Sequence, residues 1–126
     1  MKYICQVYFP PGTFAAMSEA EGVKLADDSI DWDLEMMRVG HMVQTTPLQG
    51  PEAAVTVSVR DGKPSRTDGP YAETKEQIAG FFVVEATDKD GAIAIAEQSP
   101  VAKFGFIDVR PMLLQTHSRT GMGRPG

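Results

Sequence analysis

Apolar positions divide the chain into a few sharply bounded stretches. Lys2 to Phe9 alternates aromatic and β-branched side chains and stops at Pro10-Pro11-Gly12, which predicts a first strand. Ile4 and Tyr8 fall on one face and Tyr3, Cys5, Val7 and Phe9 on the other, so both faces are largely apolar, the mark of a central strand covered on both sides. Ser18 followed three residues later by Glu21 has the spacing of a capping box and opens a predicted helix. Val23, Ala26, Ile30, Leu34 and Met37 then recur in steps of three or four and line one side of that helix. A thinner stripe runs through Leu25, Trp32, Met36 and Val39. Gly22 weakens the first turns by about 1 kcal/mol relative to Ala, which leaves two segments open as an alternative to one. Gly40 fits the left-handed stop position.

His41 to Thr45 reads as short and extended, and Pro47 to Pro51 as a loop. Val55, Val57 and Val59 alternate with Thr56, Ser58 and Arg60, the period of a half-buried strand. Asp61-Gly62 is a strong hairpin dipeptide that returns the chain through Lys63 to Thr67. Ile78 to Ala86, with Phe81, Phe82, Val83 and Val84 in a row, is the most apolar strand. Thr87 or Asp88 caps a second helix through about Gln98, ended by Ser99-Pro100, whose Ala92, Ala94 and Ala96 permit close approach to a sheet. Phe106 to Met112 is a last strand. The domain is expected over residues 1–112, and the polar, aperiodic stretch 113–126 is expected to be a disordered tail.

The order β-α-β-β-(β)-α-β predicts an α+β domain on the split βαβ, or ferredoxin-like, plan, with two helices on one face of an antiparallel sheet. Two helices cover one face only. At about 25 cal/mol per Å² of apolar surface, an open Tyr/Phe/Val face calls for a cover, and a face-to-face homodimer is the simplest. A ligand cleft between sheet and loops would account for part of the same surface.

The most unusual stretch is Asp68-Gly69-Pro70-Tyr71-Ala72-Glu73-Thr74-Lys75-Glu76. Asp68 can bond its own downstream backbone, Gly69 reaches conformations that other residues avoid and Pro70 fixes a φ angle, so this is a stiff turn. It holds carboxylates, a hydroxyl and an ammonium just ahead of the apolar strand. Together with Asp61-Gly62, Gly80-Phe81-Phe82, the opening Met1-Lys2-Tyr3, the Ala92/Ala96 helix ending in Pro100 and the closing Val109-Arg110-Pro111, this segment resembles the signature of the YCII-related proteins that bear the DGPF motif. Tyr71 stands where that family usually has Phe. The resemblance implies a ferredoxin-like fold that pairs into a dimeric α+β barrel with an active-site cleft between sheet and loops, in a family most of whose members have no assigned reaction. One branch, which includes a dehydrochlorinase acting on a chlorinated hydroxyquinol, is marked by a His of the first helix paired with an Asp. The corresponding stretch here, Asp27-Asp28-Ser29-Ile30-Asp31-Trp32-Asp33, has no His, so acid–base chemistry by that dyad does not transfer.

Composition narrows the classes. The chain has 126 residues, 12 Lys+Arg against 17 Asp+Glu and a net charge of −5. It lacks the basic footprint of a nucleic-acid binder, and no apolar run approaches the ~20 residues that cross a bilayer. One cysteine, Cys5, gives no disulfide framework and fits a reducing cytoplasm. Two distant histidines offer no metal-ligand spacing, and no cofactor fingerprint is present, so neither a metal nor a cofactor is expected. Three functions stand: a cofactor-independent enzyme on small organic molecules, working in a cleft framed by the Asp68–Glu76 loop, a non-catalytic ligand-binding or regulatory dimer, and a purely architectural motif. For the first, the candidates are Asp68 and Glu73 as acid/base or orienting carboxylates, Tyr71 and His41 as hydrogen-bonding or proton-transfer groups, and Lys75 as electrostatic stabiliser. Thr74 joins Lys75 as a ligand contact, and Arg60 and Arg110 would anchor an anionic substrate. For His41, at the helix exit, capping or a surface position is the default.

Overall fold

A computed structural model describes residues 1–71 and 76–124. In chain order the elements are β1 (Lys2–Phe9), α1 (Glu19–Arg38), β2 (Met42–Pro47), β3 (Val55–Arg60), β4 (Lys63–Asp68), β5 (Gln77–Glu85), α2 (Lys89–Glu97) and β6 (Phe106–Pro111). Four strands form an antiparallel sheet in the order β2-β5-β1-β6, and β3 pairs with β4 as a separate two-stranded sheet. The fold is α+β.

The apolar alternation of β1 sets the core. Tyr3, Cys5, Val7 and Phe9 are all buried, and their register partners Val84 and Phe82 on β5 share that face. Both helices close over it, α2 through Ala92, Ile95 and Ala96 and α1 through Trp32 and Met36, with Met42 of β2 between them. Asp88 caps α2 by accepting from the Gly91 N–H at 2.8 Å. The opposite face carries Ile4, Gln6 and Tyr8 of β1 beside Val83, Phe81 and Ile78 of β5 and Arg110, Asp108 and Phe106 of β6. It is a mixed surface, less uniformly apolar than the strand patterns imply.

Helix α1 starts where the capping box places it. The Ser18 hydroxyl accepts from the Glu21 N–H at 3.1 Å, and the Glu21 carboxylate accepts from the Ser18 N–H at 3.2 Å. It then runs unbroken for 20 residues, Gly22 included. It ends in a paired closure, with Gly40 N–H on Met37 O and His41 N–H on Met36 O, and Gly40 in the left-handed region at φ +82°. The two apolar stripes of the helix divide their work unexpectedly. The thinner one faces the sheet: Leu25 is buried, and Trp32 stacks edge-on against Phe82 with ring centroids 5.5 Å apart. In the thicker one, Val23, Ile30, Leu34 and Met37 are exposed. Larger side chains in the thin stripe fill the space over the sheet and turn the other stripe outward.

The β3–β4 hairpin also reverses its expected faces. Its turn is the predicted one, with Asp61 at φ 52° and Gly62 at φ 72°. Val55, Val57 and Val59 are exposed, however, and Thr56 and Ser58 are the half-buried positions. The hairpin stands outside the main sheet, and half-buried Thr56 donates its hydroxyl to Gly69 O, just beyond β4, at 2.8 Å. Beyond β6, His117 Nδ1 accepts from the Arg119 and Thr120 N–H groups, and Thr116 bridges to Gly123. Among the described residues no helix is long and apolar enough to cross a membrane.

Candidate functional site

Between α1 and the β2–β5–β1 part of the sheet lies a cavity of about 350 Å³. Small residues create it. On α1 the turns above the cavity present Gly22, Ala26 and Ser29 beside Leu25, and on β5 the floor is Ala79 and Gly80. Gly80 is required by its neighbour, because a Cβ there would sit 2.8 Å from Thr46 O and 3.1 Å from Pro47 Cα. Close approach of β2 to β5 therefore fixes glycine at that point and leaves the floor bare. The remaining wall is aromatic and aliphatic, with Phe9, Phe14 and Phe82 among its residues. Phe14 meets Phe9 edge-on at 4.8 Å and is exposed on its other side.

One charged side chain is found among the described residues that line this space. Asp33 of α1 is half-buried, and its Oδ2 accepts from the Thr45 hydroxyl of β2 at 2.8 Å. Burial pushes its pKa up from the ordinary carboxylate value, and the Thr45 hydrogen bond offsets part of that. Ser29, four residues earlier on the same helix, also lines the cavity, and its hydroxyl is buried without a hydrogen-bond partner. A carboxyl less willing to ionise, oriented by a hydroxyl in an apolar cleft, can accept or give a proton at a bound molecule. Among the described residues no cluster of His, Cys, Asp and Glu has the makings of a metal site.

The residues singled out in the sequence lie elsewhere. Asp68 ends β4, opposite Val55 and exposed, and the turn after it is tied to β3 by Gly69 N–H on Ala54 O at 2.7 Å. Tyr71 is 90% exposed. His41 is exposed at the end of α1, where its backbone N–H serves the helix closure and its carbonyl accepts from Glu85 N–H. Arg60, at the hairpin tip, donates to Val59 O, whereas Arg110 sits on β6 opposite Ile4, on the sheet face away from the helices. None of these five lines the cavity, and the two arginines belong to different sheets. Glu73, Thr74 and Lys75 lie outside the described residues.

Comparison with known proteins bears on both fold and site. The YCII-related domain matches residues 1–114. The chain belongs to the YCII-related family. A relative from Rhizobium meliloti (strain 1021), itself uncharacterised, is 28% identical over 116 residues, covering 90% of this chain and 94% of its own. This YCII-related domain thus has no function to borrow from that relative, and its chemistry must be read from its own residues. Sequence reasoning passed over Asp33, Ser29 and Thr45. A signal was present: Ser29 and Asp33 are polar residues set into the core-facing run Leu25, Trp32, Met36, where a merely solvated acid has no place.

Proposed function

We propose that this YCII-related domain binds a small, largely apolar organic molecule in the cavity under α1 and acts on it without a cofactor. In this reading Asp33 is the carboxyl that meets the molecule's polar end and exchanges a proton there. The observation that carries it is a half-buried carboxyl of raised pKa, held by Thr45, in a largely apolar space. At about 350 Å³ the cavity is at the lower end of the range for ligand sites. The strand order supports a ferredoxin-like plan, since β5 separates β1 from β2 and β1 separates β5 from β6. Ile4, Tyr8, Phe81 and Phe106 on the far face support a face-to-face homodimer closing a dimeric barrel, for which sedimentation at micromolar concentration is the test.

A thermal-shift screen of small organic molecules, followed by a turnover assay on the hits, tests the functional reading. Ala26→Phe, which fills the cavity from the helix side, should abolish the shifts while the fold persists. Asp33→Asn should lower turnover about 10²-fold or more. Hits unaffected by Ala26→Phe would move the site elsewhere. A second reading, in which the Asp68-led turn is architectural, draws on the two hydrogen bonds that tie Gly69 to the hairpin. Asp68→Ala should then lower stability and leave ligand binding in the cavity unchanged.

A further inference from the structure

The charge distribution around the cavity speaks to the kind of molecule it takes, and the following inference rests on the cavity being the ligand site. Among the described lining residues Asp33 is the only charged side chain, and none is basic. Among the described residues Asp33 has no ion-pair partner, and the single hydrogen bond at its Oδ2 leaves most of a carboxylate's acceptor capacity free. One helical turn away is the buried Ser29 hydroxyl, a second acceptor with nothing bound to it. Phe9, Phe14 and Phe82 also line the same space, and aromatic side chains attract a cation. Outside it, α1 carries Glu19, Glu21, Asp27, Asp28, Asp31 and Glu35 against Lys24 and Arg38, so the helix that roofs the cavity is acidic overall.

We propose that the cavity selects a protonated amine on an apolar or aromatic body and rejects carboxylates and phosphates of the same size. The ammonium donates to Asp33 and Ser29, and the hydrocarbon part lies among the phenylalanines and small residues below. A cation there supplies the partner that Asp33 lacks and stabilises the charged form that burial disfavours. An anion would meet an unpaired carboxylate with no compensating donor of positive charge among the described residues.

Three probes of similar size separate the possibilities: 2-phenylethylamine, 2-phenylethanol and 3-phenylpropionate, each titrated at pH 7 by calorimetry with methyl NMR to locate the site. The amine should bind with Leu25 and Val101 signals shifted, the alcohol roughly tenfold or more weaker, and the propionate not at all. Asp33→Asn should bring amine and alcohol to equal affinity. The ranking of the three on the unaltered protein is decisive by itself, so a variant that failed to fold would not blunt the test. Alcohol or propionate binding in the cavity as tightly as the amine would overturn the charge preference and leave the cavity standing as a ligand site. No shift at Leu25 or Val101 with any of the three would overturn both.

Discussion

Two leucines on one helix decide whether α1 is seated as described. Leu25 and Leu34 belong to different stripes, and they differ in exposure, 8% against 61%. Truncating a buried leucine to alanine costs 2–5 kcal/mol, as lost transfer energy plus the cavity left behind. Leu25 already borders an open space, so part of its surface touches no atom and less contact is lost; about 2–3 kcal/mol is the expectation for Leu25→Ala. Leu34→Ala removes methyl groups that water already reaches and should stay within about 0.5 kcal/mol. For a domain of this size 1 kcal/mol corresponds to roughly 3–6 °C in Tm, so the two variants should separate by several degrees. Urea and thermal unfolding followed by circular dichroism, at several protein concentrations, measure the difference. Equal losses at both positions, independent of concentration, would refute the assignment of the thin stripe to the sheet. A Leu34 loss that grows with concentration would instead show a second copy covering the outer stripe.

Ser18→Ala removes one half of the capping box and should cost about 1 kcal/mol, read by urea unfolding. Gly22→Ala should raise stability by about 0.5–1 kcal/mol in the same assay, because an added Cβ meets nothing within 4 Å and helix propensity improves. Cys5, buried with its thiol pKa pushed up to about 12, chiefly by burial, should resist a thiol reagent at pH 8 in the folded chain and take one equivalent on unfolding; prompt labelling would contradict its place in the core. Asp33 binds its proton more tightly folded than unfolded, so its contribution to stability falls as pH rises from the ordinary carboxylate value through its raised one. Asp33→Asn should flatten that part of the Tm–pH curve and raise Tm at pH 7. Glu21 and Glu35 act with the opposite sign, held low by hydrogen bonds from Ser18 and Arg38, so their stabilisation is lost as pH falls, and the unaltered protein and Asp33→Asn should show it equally.

Where punctuation and period agree, the elements were legible. Pro10-Pro11 ends β1, Ser18 and Glu21 open α1, Gly40 closes it, Asp61-Gly62 turns the hairpin and Asp88 caps α2, each a local device acting within four residues. Facing is decided over longer range. The hairpin valines alternate as a half-buried strand should, yet what lies against each face depends on whether β3 joins the main sheet, and its own turn chemistry is silent on that. Along α1, the more regularly spaced apolar stripe yields the core to three others, Leu25, Trp32 and Met36, whose bulk reaches the sheet around Cys5 and Phe82. Periodicity counts positions and does not weigh the volumes that must interlock.

A cavity assembled from two elements leaves no compact mark in the sequence, whereas charges clustered along the chain do. The Asp68–Glu76 stretch concentrates functional groups in sequence, but the part of it described is held at the hairpin's end, where Gly69 N–H donates to Ala54 O and Gly69 O accepts from the Thr56 hydroxyl. Asp33, Ser29 and Thr45 are ordinary residues scattered over two elements, and only the packing of α1 against β2 brings them to one space. That packing is also locally unfavourable. Gly22 weakens the helix where no neighbour demands glycine, Ser29 carries a buried hydroxyl with no partner, and Asp33 is held above its ordinary pKa. Three separate departures from what stability would choose converge on one cleft. Chains keep such departures where something other than the fold is served, and a molecule that fills the gap, engages Ser29 and meets Asp33 would relieve the last two together.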